Sequence, residues 1–311
     1  MKSVGRYTFS LSPHQPLEIE SADIEESSQF VDFLEEPRPY SGHQPDTFSV
    51  VFVDGVRRTE CVAYIKDEET GESFEGAFVS VGAGALKVDY GRLNLVGDSL
   101  LHQKVERILF FRGSATLETL LGFKPKQTDR EITQEVNRYM KEELETRLAL
   151  RAFKESSDAL VVCDGTLSYK LRHTSCLGFV KSIKRLYMDR VNLNLLYSLK
   201  VGQRSPILKV HYQRQQEEEE KVDKYTWYIK LSPHEGLHGL ARVEVFPQNI
   251  DLVKRLADLS AGVLPLFASQ SFQDRRSPQN LLPIGSLEKF LRLNLGAYGL
   301  IRRKIEDFFH A

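Results

Sequence analysis

The chain has 311 residues, of which 41% are hydrophobic and 27% are charged, a composition typical of a globular protein with a substantial core. The formal net charge of −1 disfavours a protein that coats nucleic acid, but it is compatible with a local basic groove beside acidic catalytic residues. The longest apolar runs, at 48–53 and 159–163, are too short to span a bilayer, and the N-terminus lacks the apolar core of a secretory signal. We therefore expect a cytoplasmic protein without a membrane partner.

The three cysteines support the same expectation. Cys61, Cys163 and Cys176 form no CxxC pair, and two of them lie in apolar runs typical of strands. This pattern favours reduced core cysteines over disulfides or a zinc site.

Residues 1–45 differ in character from the rest of the chain. They carry many acids and several prolines, and they have no sustained hydrophobic period. This predicts an irregular N-terminal arm with one short helix near Ile24–Phe33. Because no repeat or long linker divides the remainder, residues 46–311 are interpreted as a single domain.

Alternating strand patterns follow the arm. Two strands are predicted between Phe48 and Lys66, with the sequences SVVFVDG and RRTECVAYI. Further strands are predicted near Ala77–Val81, Leu86–Tyr90 and Val105–Phe111. The run indicates consecutive, antiparallel strands.

The period then changes to that of a helix over residues 128–153. Thr128 and Glu131 match a capping box, and apolar residues recur at helical spacing at Ile132, Val136, Met140, Leu144 and Leu148. The run ALVVCDG that follows, ending in Asp164-Gly165, is typical of a buried strand.

The last third of the chain mixes helices and strands. Residues 176–200 are predicted to be helical, at least in their second half, and strands are predicted at Ile207–Tyr212, Thr226–Leu231 and Ala241–Phe246. Helices are predicted at Leu252–Asp258 and Leu287–Leu295. The chain is therefore assigned to the α/β class, with a mixed sheet flanked by helices, an irregular N-terminal arm and C-terminal helices.

Two aspartates follow similar apolar runs, SVVFVDG at Asp54 and ALVVCDG at Asp164. If the two strands are neighbours, both carboxylates converge, and a divalent cation would offset their repulsion; oxygen ligands suit Mg²⁺ or Mn²⁺. The alternative interpretation is that each Asp-Gly is only a tight turn, which is the commoner use of this dipeptide.

The helix before the second aspartate supplies three further acids, Glu142, Glu143 and Glu145. They point in different directions, because successive helical residues turn by about 100°. Glu145 lies at the edge of the apolar stripe and is preferred, Glu143 is second, and each of the three is also compatible with a solvated surface. The order of strand with Asp, antiparallel strands, helix with Glu and strand with Asp is that of a ribonuclease-H-like fold.

Five segments together resemble the successive motifs of bacterial NurA-domain proteins over about residues 48–305. In chain order they are FVDGVRRTE at 52–60, VVCDGTL at 161–167, GFVKSIKRLY at 178–187, WYIKL…GLARVEV at 227–245 and SPQNLLPIGSLEKFLR at 277–292. The resemblance implies a ribonuclease-H-like fold and a homodimer. It also implies Mn²⁺-dependent exonuclease or single-strand endonuclease activity on DNA, and partnership with a HerA-type hexameric translocase in DNA end processing and repair.

The resemblance also assigns functional residues. Asp54 and Asp164 match the family's strand aspartates, and Glu145 is the match for its helix acid. These three are predicted to be catalytic and to bind Mn²⁺ or Mg²⁺, with two ions expected. Archaeal members add a C-terminal histidine that SPQNLLPIG lacks, so Gln279 and Asn280 are predicted only to orient substrate or a metal-bound water.

Basic residues near the two aspartates are predicted to bind the DNA backbone. Two of them, Arg57 and Arg58, follow Asp54, and a second group comprises Lys181, Lys184 and Arg185. A helix would place the second group on one face. Clusters this small are also compatible with an ordinary solvated surface.

Two rival functions are also compatible with the sequence. The first is a non-catalytic module that clamps DNA or regulates a translocase on the same fold, and retention of both aspartates disfavours it. The second is a ribonuclease-H-like nuclease that acts on RNA or branched DNA.

Overall fold

The computed structural model describes residues 2–11, 30–91, 95–181, 186–188, 192–211, 223–233, 237, 239–270 and 278–310. Within these residues one mixed sheet contains fourteen strands. They are β1 (Lys2–Val4), β2 (Tyr7–Leu11), β3 (Phe30–Phe33), β4 (Tyr40–Ser41), β5 (Phe48–Asp67), β6 (Ser73–Tyr90), β7 (Leu95–Phe111), β8 (Lys124–Gln127), β9 (Leu160–Asp164), β10 (Leu177–Val180), β11 (Gln203–Arg204), β12 (Leu208–His211), β13 (Lys224–Lys230) and β14 (Leu240–Val245).

Helices cover both faces of this sheet. The described helical segments are α1 (Ile132–Tyr139), a π-helical segment (Met140–Glu145), α2 (Thr146–Glu155), α3 (Leu193–Ser198), α4 (Ile250–Val263), α5 (Leu282–Asn294) and α6 (Tyr298–His310), with 3₁₀ turns at Tyr169–Leu171 and Leu264–Phe267. None of the described helices is both long and apolar enough to cross a bilayer.

The strand order places β9 at the centre of the sheet. The main path runs β3-β12-β13-β14-β10-β9-β5-β6-β7-β8, and β9 lies parallel to both of its neighbours. A parallel strand requires a crossover, which here is the long helix between β8 and β9. Strand, antiparallel strands, helix and parallel central strand therefore follow in the predicted order, which confirms the α/β assignment.

The first long strand differs from its prediction. Phe48–Asp67 is one strand of 20 residues, not two shorter ones, and it pairs with β6 along its length. Asp54 and Gly55 lie in mid-strand opposite Gly84 and Ala83, so the tight-turn interpretation is wrong for this Asp-Gly pair. At the second pair a turn does follow the strand, since Gly165 has a φ of +76°.

The helix between β8 and β9 runs from Ile132 to Glu155 without a break, although its middle turn is π-helical. Its predicted apolar stripe is buried except at Met140, which is half-buried. The predicted capping box is wrong: the N-cap residue is Glu131, no side-chain hydrogen bond caps the helix, and Thr128 Oγ1 accepts from Arg130 N. The stripe packs on the sheet face that carries Val51 and Val53.

The opposite face of the sheet is covered by α4 and the start of α5. Its cluster includes Val50, Phe52 and Val162 from the central strands, together with Trp227 of β13. Trp227 is fully buried, and its Nε1 donates to Ser260 Oγ of α4 at 3.0 Å. The two core clusters divide alternate residues of β5 between them, as strand geometry requires.

Two further predictions need correction. Residues 30–33 form strand β3 and not the end of a helix, because they pair with β12; residues 24–29 lie outside the described residues. In the segment 176–200, Leu177–Val180 is a strand and only Leu193–Ser198 is helical among the residues described. The described parts of the N-terminal arm thus add short strands to the sheet, with β2 pairing onto the far half of β5.

Candidate active site

The structure brings Asp54 and Asp164 side by side. β9 pairs with β5 in parallel, and the last paired residues are Cys163 and Val53, so the two aspartates occupy the next position on each strand. Both continue the alternation of Phe52 and Val162, which point toward α4 and α5. The two carboxylates therefore share one face of the sheet, at the end of the β5–β9 pairing.

Asp54 is buried in a way that opposes its ionisation. It is 7% exposed, and Oδ1 accepts a hydrogen bond from Gly55 N at 2.8 Å. Burial raises the pKa of Asp54 well above its ordinary value, and the negative charges of Asp164 and Glu145 raise it further. Lys181 offsets only part of this effect. A carboxylate in this environment favours a bound cation.

Glu145 is the buried acid of the three on the helix. It closes the π-helical turn, a feature often found at functional sites, and is 4% exposed. Lys141 donates to Glu145 Oε2 at 2.9 Å and to the main-chain oxygen of Asp164 at 2.6 Å. Burial raises the pKa of Glu145 despite the ion pair with Lys141. The helix lies on the Val53 face of the sheet, so Glu145 approaches from the side opposite to the aspartates.

The other two helix acids are engaged elsewhere. Glu142 accepts a hydrogen bond from Ser168 Oγ, and Glu143 forms ion pairs with Arg147 and Lys170. Hydrogen bonding from Lys170 lowers the pKa of Glu143, as expected for a paired surface acid. Of these three acids, Glu145 is the one whose charge raises the pKa of Asp54, and Asp164 in turn raises the pKa of Glu145.

Gly55 makes room for Glu145. A Cβ atom placed on Gly55 would overlap Glu145 Oε1 and lie 2.9 Å from Met140 Cγ. Because Gly55 has no side chain, the carboxylate can lie directly against the main chain beside Asp54. Glycine is required at this position for packing and not for a positive φ.

We expect Gly55→Ala to displace Glu145 and to destabilise the fold by about 1–3 kcal/mol, the usual cost of overpacking a core. Urea unfolding measures the change. Gly71→Ala is an unsuitable control because Gly71 has a φ of +75°, whereas Gly299 has open space where a Cβ would lie and serves as the control. Equal stabilities of Gly55→Ala and Gly299→Ala would contradict the close approach of Glu145.

Asp164 has one satisfied oxygen and one that is not. Its Oδ2 accepts from Lys181 Nζ at 2.9 Å, and the same ammonium donates to Asn280 Oδ1 at 2.8 Å. Oδ1 of Asp164 is buried and has no hydrogen-bond partner among the described residues. An unsatisfied buried carboxylate oxygen is costly, and a cation at this point would remove the cost.

The described residues contain no group of three or more His, Cys, Asp or Glu side chains already gathered as metal ligands. Two lysine ammonium groups lie among the carboxylates instead. The donor set still fits a hard divalent cation, since it offers carboxylate oxygens and an oxygen without a partner in the described part of the chain.

The remaining predicted residues have different surroundings. Arg57 is half-buried beside a groove of about 200 Å³ and makes no ion pair with a described residue. Arg58 binds the buried Glu60 at 2.7 Å and donates to Gly296 O at 2.9 Å, so it holds the C-terminal helices. Gln279 is half-buried next to the buried Asn280. Lys184 and Arg185 lie outside the described residues.

Three features of the site were not predicted from the sequence. Lys141 is one helical turn before Glu145, and this spacing was available as a signal. The packing requirement at Gly55 had no signal in the sequence. The structural function of Glu244 also had no signal in the sequence. Glu244 is a fully buried acid on β14, and its Oε1 accepts from Leu167 N at 2.9 Å, which fixes the loop after Asp164.

Comparison with known protein families gives a match to the NurA domain. The model of the NurA domain matches residues 48–284, which include β5, the helix of Glu145, β9 and the start of α5. This confirms the resemblance predicted from the five motifs. A search of curated proteins found no match.

Proposed function

This chain belongs to the NurA-domain family of nucleases, and from that premise we propose that it is a metal-dependent deoxyribonuclease with Asp54 and Asp164 at its catalytic centre. The observation that carries the proposal is the adjacency of these two carboxylates on parallel strands, with one oxygen of Asp164 buried and without a partner among the described residues. Such an arrangement is costly unless it binds a ligand.

Asp54 and Asp164 would hold a divalent cation, Mn²⁺ or Mg²⁺, and Glu145, which approaches from the opposite side of the sheet, would add a third negative charge to the centre. When bound, such a cation supplies a nucleophilic water at neutral pH and Lewis-acid stabilisation of the phosphodiester. Carboxylate oxygens are the ligands that both of these cations prefer.

Other residues of the centre hold its charged side chains in position. Lys141 ties Glu145 to the main chain of Asp164, and Asn280 fixes the ammonium of Lys181. Arg57 adds positive charge to a groove that Glu75 and Glu131 also line, and we assign it a contact with the phosphate backbone that selects no base sequence.

A nuclease assay tests the proposal. Labelled single-stranded and double-stranded DNA is incubated with the full chain and Mn²⁺, with Asp54→Asn and Asp164→Asn in parallel. We expect cleavage by the wild type that EDTA abolishes and that both variants lack. DNA binding without cleavage would favour the rival function, a non-catalytic clamp, and cleavage of RNA alone would favour the other rival.

We further propose that the nuclease acts in DNA end processing and repair with a HerA-type hexameric translocase, in the cytoplasm. The support is family membership, and because the sequence has no GxxxxGK[ST] motif, any ATP hydrolysis used in this process must come from a partner. Addition of such a translocase and ATP is expected to increase digestion of duplex DNA by the wild type. No increase would contradict the partnership.

A homodimer is the remaining part of the proposal. Along the C-terminal helices α5 and α6, Leu291 and Leu295 are buried against Val56 in the interior. The same helices instead expose Leu293 and Leu300, which are 80% and 72% accessible. Apolar side chains this exposed are suited to an interface.

We expect Leu293→Glu combined with Leu300→Glu to shift the chain from dimer to monomer without loss of folding. Analytical ultracentrifugation at several concentrations measures the shift, and Arg151→Ala, at an exposed position of α2 on the other face of the sheet, serves as the control. A dimer of unchanged stability in the double variant would exclude this surface from the interface.

A further inference from the structure

Lys181 lies largely buried within the candidate site and not on the protein surface. Its side chain is 13% exposed, and the ammonium lies between Asp164 Oδ2 and Asn280 Oδ1 at 2.9 and 2.8 Å. We propose that Lys181 supplies the positive charge that a second divalent cation would otherwise supply, so that the site binds one divalent cation per chain and not two. The inference rests on the proposed nuclease function.

The ammonium is anchored from several directions. Lys181 directly follows β10, and β10 pairs with β9 so that Phe179 lies opposite Asp164. Asn280, which is 1% exposed, lies just before α5 and binds the lysine from the other side. A lysine ammonium is a compact point charge, and this one is held within hydrogen-bond distance of the catalytic carboxylate.

The two carboxylate oxygens of Asp164 have different surroundings. Lys181 occupies Oδ2, whereas Oδ1 is buried without a described partner. Asp54 and Asp164 would hold one cation with the lysine in place. A second cation on Oδ2 would have to displace the ammonium and break its bond to Asn280.

The net charge of the cluster also favours one cation over two. With Asp54, Glu145 and Asp164 ionised, Lys141 and Lys181 leave a net charge of −1 on these five groups. One divalent cation makes the centre +1, which one phosphodiester group neutralises. Two cations would leave an excess of positive charge in a buried site even after substrate binds, and an uncompensated buried charge is costly.

Lys181 would therefore contact the substrate phosphate. An ammonium has three N–H donors, and the bonds to Asp164 and Asn280 use two of them. Donation of the third to a phosphate oxygen stabilises the negative charge that increases in the transition state. No proton transfer from Lys181 is required.

Counting bound Mn²⁺ tests the inference without reference to cleavage. The full chain is titrated with Mn²⁺, and free Mn²⁺ is measured by electron paramagnetic resonance, for wild type, Lys181→Met, Lys181→Arg and the control Lys170→Met. Lys170 is a half-exposed lysine that pairs with Glu143 outside the centre. Ions that bind the wild type but not Asp54→Asn are assigned to this site.

We expect one site ion per chain in the wild type, Lys181→Arg and Lys170→Met, and two in Lys181→Met. Cleavage by Lys181→Met should fall about 10²–10³-fold, the usual cost of one donor to a developing oxyanion, and Lys170→Met should cleave normally. Two site ions in the wild type, or one in a folded Lys181→Met, would overturn the inference. If Lys181→Met does not fold, the wild-type count decides.

The two proposals fail in different ways. A wild type that binds two site ions and cleaves DNA leaves the nuclease function intact and removes only the assignment of Lys181. A wild type whose Mn²⁺ binding is unaffected by Asp54→Asn contradicts the proposed catalytic centre itself, and with it this inference.

Discussion

Replacing Asp164 by Asn is expected to lower DNA cleavage about a thousandfold or more, with little change in DNA binding. Coordination of the proposed cation by Asp164 would contribute several kcal/mol to stabilising the transition state, and each 1.36 kcal/mol corresponds to a factor of ten in rate. Asparagine keeps the size of the side chain but offers the cation no charge. Single-turnover cleavage of labelled DNA measures the loss.

The matched control is Asp158→Asn, which removes an exposed aspartate just before β9. It should cleave at the wild-type rate. An Asp164→Asn variant that retains even a tenth of the wild-type rate would remove Asp164 from the catalytic centre. Loss of cleavage in Asp158→Asn would indicate that damage to β9, and not to the carboxylate, is responsible.

Asp54→Asn is expected to have the same catalytic defect but a higher melting temperature in the absence of metal. The wild-type fold buries Asp54 beside two other acids, and this raises its pKa. An acid with a raised pKa binds protons more tightly when folded, so its stabilising contribution is present below the ordinary aspartate pKa and is lost as pH rises through the folded-state pKa. Asparagine removes that penalty at neutral pH.

The excess stability of Asp54→Asn should therefore be largest at neutral pH and should vanish in acid. Thermal unfolding in EDTA across this range measures it. Saturating Mn²⁺ should reverse the order, because only the wild type is stabilised by binding. A variant that is less stable than the wild type at neutral pH in EDTA would contradict the strained carboxylate cluster.

Glu244→Ala is expected to cost about 3–5 kcal/mol of folding free energy, the range for breaking a buried ion pair from one side. Glu244 is fully buried, and it pairs with Lys224 at 2.6 Å and Arg242 at 3.2 Å. Both cations are themselves largely buried, and the alanine variant removes the carboxylate that pairs with both of them. Urea unfolding measures the loss.

The pH dependence of this variant distinguishes charge from packing. Burial alone would raise the pKa of Glu244, but Lys224 and Arg242 more than compensate and the pKa is lowered. The contribution of Glu244 to stability is therefore present above the ordinary glutamate pKa and lost as pH falls through the lowered value. Arg303→Ala, which breaks an exposed pair with Asp307, should have no measurable effect.

Glu244→Ala also bears on the catalytic centre. The acid fixes Leu167 N, three residues beyond Asp164, so the loop after β9 loses one of its supports. We expect reduced cleavage even at temperatures where the variant is fully folded. A folded variant with wild-type cleavage would limit Glu244 to stability alone.

The sequence predicted which residues would meet, because two apolar runs ending in Asp-Gly separated by strands and a helix are compatible with few topologies. It could not predict how they meet. Asp54 lies in mid-strand, because β5 continues for thirteen residues beyond it to Asp67 and pairs with β6 throughout. Strand length depends on partners that are distant in sequence, so local pattern misplaced the ends.

The three acids of the helix are a second case in which the sequence predicted the element but not the packing. Composition and spacing identified the helix and left Glu142, Glu143 and Glu145 open, and only the packed structure distinguishes them. Glu145 is buried because the turn that ends with it is π-helical and because Gly55 leaves space on the sheet. Neither fact follows from a 3.6-residue period, which assumes a regular helix.

By itself, the sequence determined the α/β class, the family and the two aspartates, since these depend on the order of apolar runs and on motifs that are local in the chain. Only the tertiary structure decided the ion partners. Lys141 and Lys181 reach the carboxylates, Arg58 binds Glu60 within the interior, and Lys224 and Arg242 pair with Glu244. A charge is attracted to its nearest opposite charge in space, and that neighbour is set by strand register and burial, which no single segment of the chain specifies.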